Sequence, residues 1–182
     1  MRHKRIVELI HRHQSNNVIT FDVQNGRTVL TGNLPRGASG LYWFWTTYSI
    51  EELSHCTRPL HMTGEVNIGQ LVTERNELEH VCQVTSDDEF RVVYNGKGGG
   101  TTNGYGLRER ILQEIRGQEG TGSLSILNSS VNDHSRWRIT YLDFEDEAFL
   151  NQLGEDISYQ NEGGTFEMLW RLHYGWPILC RR

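Results

Sequence analysis

The run Leu41-Tyr42-Trp43-Phe44-Trp45-Thr46 constrains this chain more than any other feature. Large aromatic side chains favour extended backbone and are costly to leave in water at such density, so the segment reads as a core strand. Two further core strands follow, Phe90-Arg91-Val92-Val93-Tyr94 and, by alternation, Trp137-Arg138-Ile139-Thr140-Tyr141-Leu142. Between them, residues 107–115 carry Leu107, Ile111, Leu112 and Ile115 at helical spacing, with Arg108, Glu109 and Glu114 on the outer side. A short amphipathic helix over 3–14 opens the chain. Asn25-Gly26 between 18–23 and 27–30 predicts a tight hairpin, because both turn positions need positive φ. Ser49 offers an N-cap to a helix beginning at Ile50. Helices are expected near 145–157 and 164–174, the last closed by Gly175-Trp176-Pro177. Residues 56–78 give no clear pattern, and Asn95-Gly96-Lys97-Gly98-Gly99-Gly100 is expected to be a loop ending the second strand.

These elements predict an α/β (α+β) fold, a small central antiparallel β-sheet flanked by helices. With 182 residues and 36% hydrophobic content the chain suits one buried core. One domain over 1–182 is therefore expected, with a helix and hairpin arm at 1–39 and the main core at 40–182. No apolar run nears the ~20 residues of a membrane span, and Met1-Arg2-His3-Lys4-Arg5 is too charged for a secretion signal. The three cysteines, Cys56, Cys82 and Cys180, lack close pairing and fit a reducing, cytoplasmic setting. His55, Cys56, His61, His80 and Cys82 match no structural zinc spacing. The Gly96-to-Thr102 loop lacks the Gly-Lys-Ser/Thr of a P-loop. A net charge of −5 runs against nucleic-acid binding, although basic residues gather at 2–12, 108–116 and 181–182.

The order of motifs carries more information than the charge. Gly40-Leu41-Tyr42 is followed by Val93-Tyr94-Asn95-Gly96-Lys97, by Leu107-Arg108-Glu109-Arg110-Ile111, by the third strand, and by Glu167-Met168-Leu169-Trp170 ahead of Pro177. This succession over residues 40–180 resembles the GIY-YIG nuclease family: two tyrosine tripeptides, an L-x-x-R-L/I helix, and a metal-binding glutamate about ten positions before a terminal proline. Compared with the family's compact members, an insertion near 47–85 separates the two tyrosines. Asn95 stands where an aliphatic residue is usual. Glu114 stands one turn after Arg110, where several members carry His or Tyr, and Cys180 lies near where many members end in Asn.

The resemblance implies cleavage of double-stranded DNA by a magnesium-dependent (or manganese-dependent) endonuclease, most like a restriction enzyme. It implies catalytic roles for Tyr42, Tyr94, Arg110 and Glu167, with Glu167 holding the metal. Glu147 and Glu155 are Glu167's rivals for that role. Phosphodiester hydrolysis independently calls for such groups, namely a proton acceptor, positive charge on the phosphate and a divalent ion. In this reading Tyr42 is the base, its phenol pKa lowered from ~10 by nearby cations. Lys97 and Arg108 add phosphate contacts. A palindromic substrate would imply a homodimer. The rival reading is a catalytically inactive module of the same fold that binds DNA or a protein partner.

Overall fold

The computed structural model describes residues 2–35, 37–58, 65–99, 106–118, 120–154 and 159–181. His61, Glu155 and the Gly100-Thr101-Thr102 end of the glycine-rich segment lie outside them. After helix α1 (Arg2–Ser15), strands β1 (Val18–Gln24) and β2 (Arg27–Thr31) pair antiparallel with Gln24 opposite Arg27. Asn25 and Gly26 turn the hairpin at φ 51° and 71°, the positive pair that asparagine and glycine tolerate. With β3 (Gly40–Thr46), β4 (Arg91–Gly98) and β5 (Trp137–Asp143) they form a five-stranded antiparallel sheet in the order β2-β1-β5-β3-β4.

All seven residues of β3 are buried. Leu41, Trp43 and Trp45 pack into one layer with Ile6 and Ile10 of α1, Phe149 of α5 (Glu147–Leu153) and Phe166 and Trp170 of α6 (Tyr159–Tyr174). Tyr42 and Phe44 enter the opposite layer with Leu107, Ile111 and Ile115 of α4 (Leu107–Arg116). Helices on both faces explain why this strand has no polar alternation.

Four expectations need correction. First, β4 does not stop at Tyr94: Asn95, Gly96, Lys97 and Gly98 pair with Trp43, Tyr42, Leu41 and Gly40. The glycines serve close approach here. A Cβ on Gly96 would lie 2.6 Å from the Tyr42 hydroxyl, and one on Gly98 2.6 Å from Leu107 Cα. Second, the unassigned 56–78 segment contains α3 (Ile68–Arg75), packed on α2 (Ile50–Ser54), whose N-terminus is closed by the Ser49–Glu52 capping box. Third, α5 ends at Leu153, where Gly154 adopts φ 93°, and α6 begins at Tyr159 and runs through Gly163 and Gly164. Fourth, Glu114 is not on the outer side of α4; it is 2% exposed. Among the described residues no helix is long and apolar enough to cross a membrane.

Candidate active site

Strand β4 lies at the sheet edge, and the groups of interest surround it. Between Val92, paired with Trp45, and Tyr94, paired with Phe44, the register slips at Val93. Such a bulge re-aims the following side chain. Tyr94 therefore shares the α4 face with Tyr42, and the two rings lie 6.2 Å apart. Both phenols donate to the same oxygen, Glu114 Oε1, at 3.1 Å from Tyr42 and 2.9 Å from Tyr94. The backbone N–H of Leu124 donates to Glu114 Oε2 at 2.9 Å.

Tyr42 is fully buried and Tyr94 only partly so. Burial pushes the Glu114 carboxyl above its ordinary range, against the opposing pull of the Leu124, Tyr94 and Tyr42 hydrogen bonds and of Arg110. Burial, reinforced by the Glu114 charge, also raises both phenols well above their usual range. The expected lowering of the Tyr42 phenol is thus overturned: Arg110 acts in that direction but is outweighed.

On the other face of β4, Arg171 of α6 bridges to the strand. Its Nε donates to Asn95 Oδ1 at 2.8 Å and its Nη2 to the Asn95 carbonyl at 3.1 Å, while Nη2 also pairs with Glu167 Oε1 one helical turn away. The guanidinium lies over the Trp176 ring at 4.7 Å. Cys180 Sγ accepts from the Asn95 N–H at 3.3 Å, and Leu179 N–H donates to the Val93 carbonyl at 2.9 Å, so the terminal segment runs along the outer edge of β4. The Glu167 carboxyl is raised by burial, opposed by Arg171, Lys97 and Arg110. Its side chain keeps 16% of its surface open.

Lys97 is exposed, with its Nζ 3.2 Å from where a Cβ on Gly164 would sit. Arg110 donates to Gln113 Oε1 within α4, yet its charge acts on Tyr42, Tyr94, Glu114 and Glu167 alike. Its field reaches both faces.

The structure thus brings Tyr42 and Tyr94 into contact through Glu114, sets Arg110 beside them, and places Glu167 and Lys97 around the strand edge. Arg108 is half-exposed on α4, and no hydrogen bond or ion pair among the described residues joins it to the group. Glu147 is exposed at the start of α5. Among the described residues no three His, Cys, Asp or Glu side chains converge as a metal site.

Arg171 escaped the sequence reading, which met Glu114 and Asn95 only as departures from the family pattern, without a role for either. Glu114 had a signal: it stands seven residues after Leu107 on the stripe that also carries Ile111 and Ile115, a core position. In comparisons with protein families, curated proteins and solved structures, nothing matches the chain.

Proposed function

We propose that this chain is a GIY-YIG-type endonuclease of the cytoplasm that hydrolyses double-stranded DNA with Mg²⁺ or Mn²⁺ as a restriction enzyme. One observation carries the reading: residues picked by motif order from β3, β4, α4 and α6 flank a single edge strand, Tyr42, Tyr94 and Arg110 on its α4 face and Glu167 on the other, although up to 125 positions separate Tyr42 from Glu167. Arg110 and Lys97 supply the positive charge that a phosphate needs. Glu167 is a single, partly open, hard carboxylate beside those cations. That donor suits an ion such as Mg²⁺, which keeps several waters and takes substrate oxygens for the rest of its shell. When bound, the ion would neutralise a non-bridging phosphate oxygen. A homodimer follows if the substrate is palindromic.

The rival reading, a binding module without catalysis, has one observation on its side: the Tyr42 hydroxyl is buried and engaged by Glu114. Plasmid DNA incubated with the protein and Mg²⁺ or Mn²⁺ separates the two. Discrete fragments from the wild type, absent with Glu167→Ala, are expected. DNA that is retained but left uncut across several substrates and both metals would favour the binding module.

A further inference from the structure

We infer that Glu114 is the positioning residue of this site, holding Tyr42 and Tyr94 as a pair of donors on one oxygen so that Tyr94, not Tyr42, is the phenol that meets the substrate. The inference rests on the nuclease reading for its reaction, but its geometry stands apart. Tyr42 is fully buried, and its ring lies against Gly96, where any side chain would displace it. Tyr94 is partly open, at the strand edge. The groups facing Glu114 are Tyr42 from β3, Tyr94 from β4, the Leu124 N–H from the loop after α4, and Arg110 on its own helix; Cys180, from the terminal segment, lies close enough to act electrostatically on Tyr94 and Glu114.

A buried carboxylate with neutral donors and, among the described residues, no ion-pair partner is poised to take up a proton, and its raised pKa agrees with that. In the step implied, a water at the phosphate gives a proton to the Tyr94 oxygen as the Tyr94 proton passes to Glu114 Oε1. The hydroxide left behind bonds to phosphorus, the bond from phosphorus to the leaving oxygen breaks, and that oxygen takes its proton from solvent. Tyr94 ends neutral and Glu114 ends protonated, to be reset by solvent. Tyr42, donating to the same oxygen, keeps that oxygen aimed at Tyr94.

The test uses the full chain with Glu114→Gln, Tyr94→Phe and their combination, each followed by ultraviolet absorbance of tyrosine ionisation against pH. With the carboxylate charge removed, the ionisation that Tyr94→Phe deletes should move to lower pH by about one unit. A side chain that merely fills space would not move it. On cleavable DNA, Glu114→Gln should lower kcat by about a hundredfold while changing KM little, the scale of one proton-transfer group. Should Glu114→Gln fold poorly, Glu114→Asp keeps the charge but withdraws it from the phenols and should lower kcat with less effect on the ionisation. An unmoved Tyr94 ionisation, or wild-type kcat in Glu114→Gln, would overturn the inference. If the wild type cuts no DNA the nuclease reading fails, and the absorbance titration alone decides whether Glu114 holds Tyr94.

Discussion

Two carboxylates flank β4, and they are accommodated by opposite means. Glu114, 2% exposed, receives two phenols and a backbone N–H, all neutral. Glu167, on the other side, faces a guanidinium that is itself only 8% exposed. Hydrogen bonds from neutral donors ease the burial of a charge without fixing it, so protonation remains open to Glu114. An ion pair fixes geometry, and it makes each partner dependent on the other. The difference separates a group suited to moving protons from one suited to holding its place.

The largest expected effect tests that dependence. Arg171→Met leaves Glu167 without its guanidinium and removes the two guanidinium donors to Asn95, and should cost about 3–5 kcal/mol by chemical denaturation, as breaking one half of a buried pair does. Glu114→Gln keeps one acceptor for the two phenols but turns its NH2 toward the Leu124 N–H, and should cost about 1–3 kcal/mol, less than Arg171→Met. Equal losses in the two variants would erase the distinction between the faces. Next in size, Gly96→Ala drives a methyl into the Tyr42 ring and should cost about 1–3 kcal/mol. Tyr42→Phe should relieve only part of that strain, since the ring carbon bearing the hydroxyl lies 2.7 Å from the added Cβ.

The pH dependence of stability sharpens the same contrast. Both carboxyls have folded pKa values raised above the unfolded reference of about 4.3. Their contribution to stability is therefore fully present below that reference and is lost as pH rises through the folded values. Denaturant midpoints should fall on going from mildly acidic to neutral pH, and Glu114→Gln should flatten that decline. A decline as steep in Glu114→Gln as in the wild type would assign the titration to Glu167 or elsewhere.

What the sequence made legible follows from what determines each feature. The hairpin, the Ser49 cap and the three core strands depend on local chemistry, and they lie where Asn25-Gly26, Ser49 and the aromatic runs put them. The extent of β4 was hidden because glycines signal a loop by composition, whereas Gly96 and Gly98 are demanded by Tyr42 and Leu107, residues far away in the chain. Glu114 was misjudged because a charge on a helix is usually solvated, and only the fold supplies its three donors. Arg171 was hidden for a similar reason. Its partner Asn95 lies 76 positions away, and the pairing exists only because α6 packs against β4.

The smallest effect is a reporter rather than a loss of stability. Cys180 lies between Arg171 and Asn95, with burial pushing its thiol up to about 12, and Cys82 is pushed to about 11. A thiol reagent acts on the thiolate, so at about pH 8 Cys56, partly exposed, should react well before the other two. Arg171→Met takes away the cation that favours the Cys180 thiolate but also uncovers the sulfur, and the gain in access should prevail, quickening Cys180 labelling, whereas Glu114→Gln should leave it slow. If Glu114→Gln opens Cys180 as far as Arg171→Met does, the two faces of β4 move as one unit. The tyrosine pair and the Glu167–Arg171 pair would then have to be treated as a single coupled site.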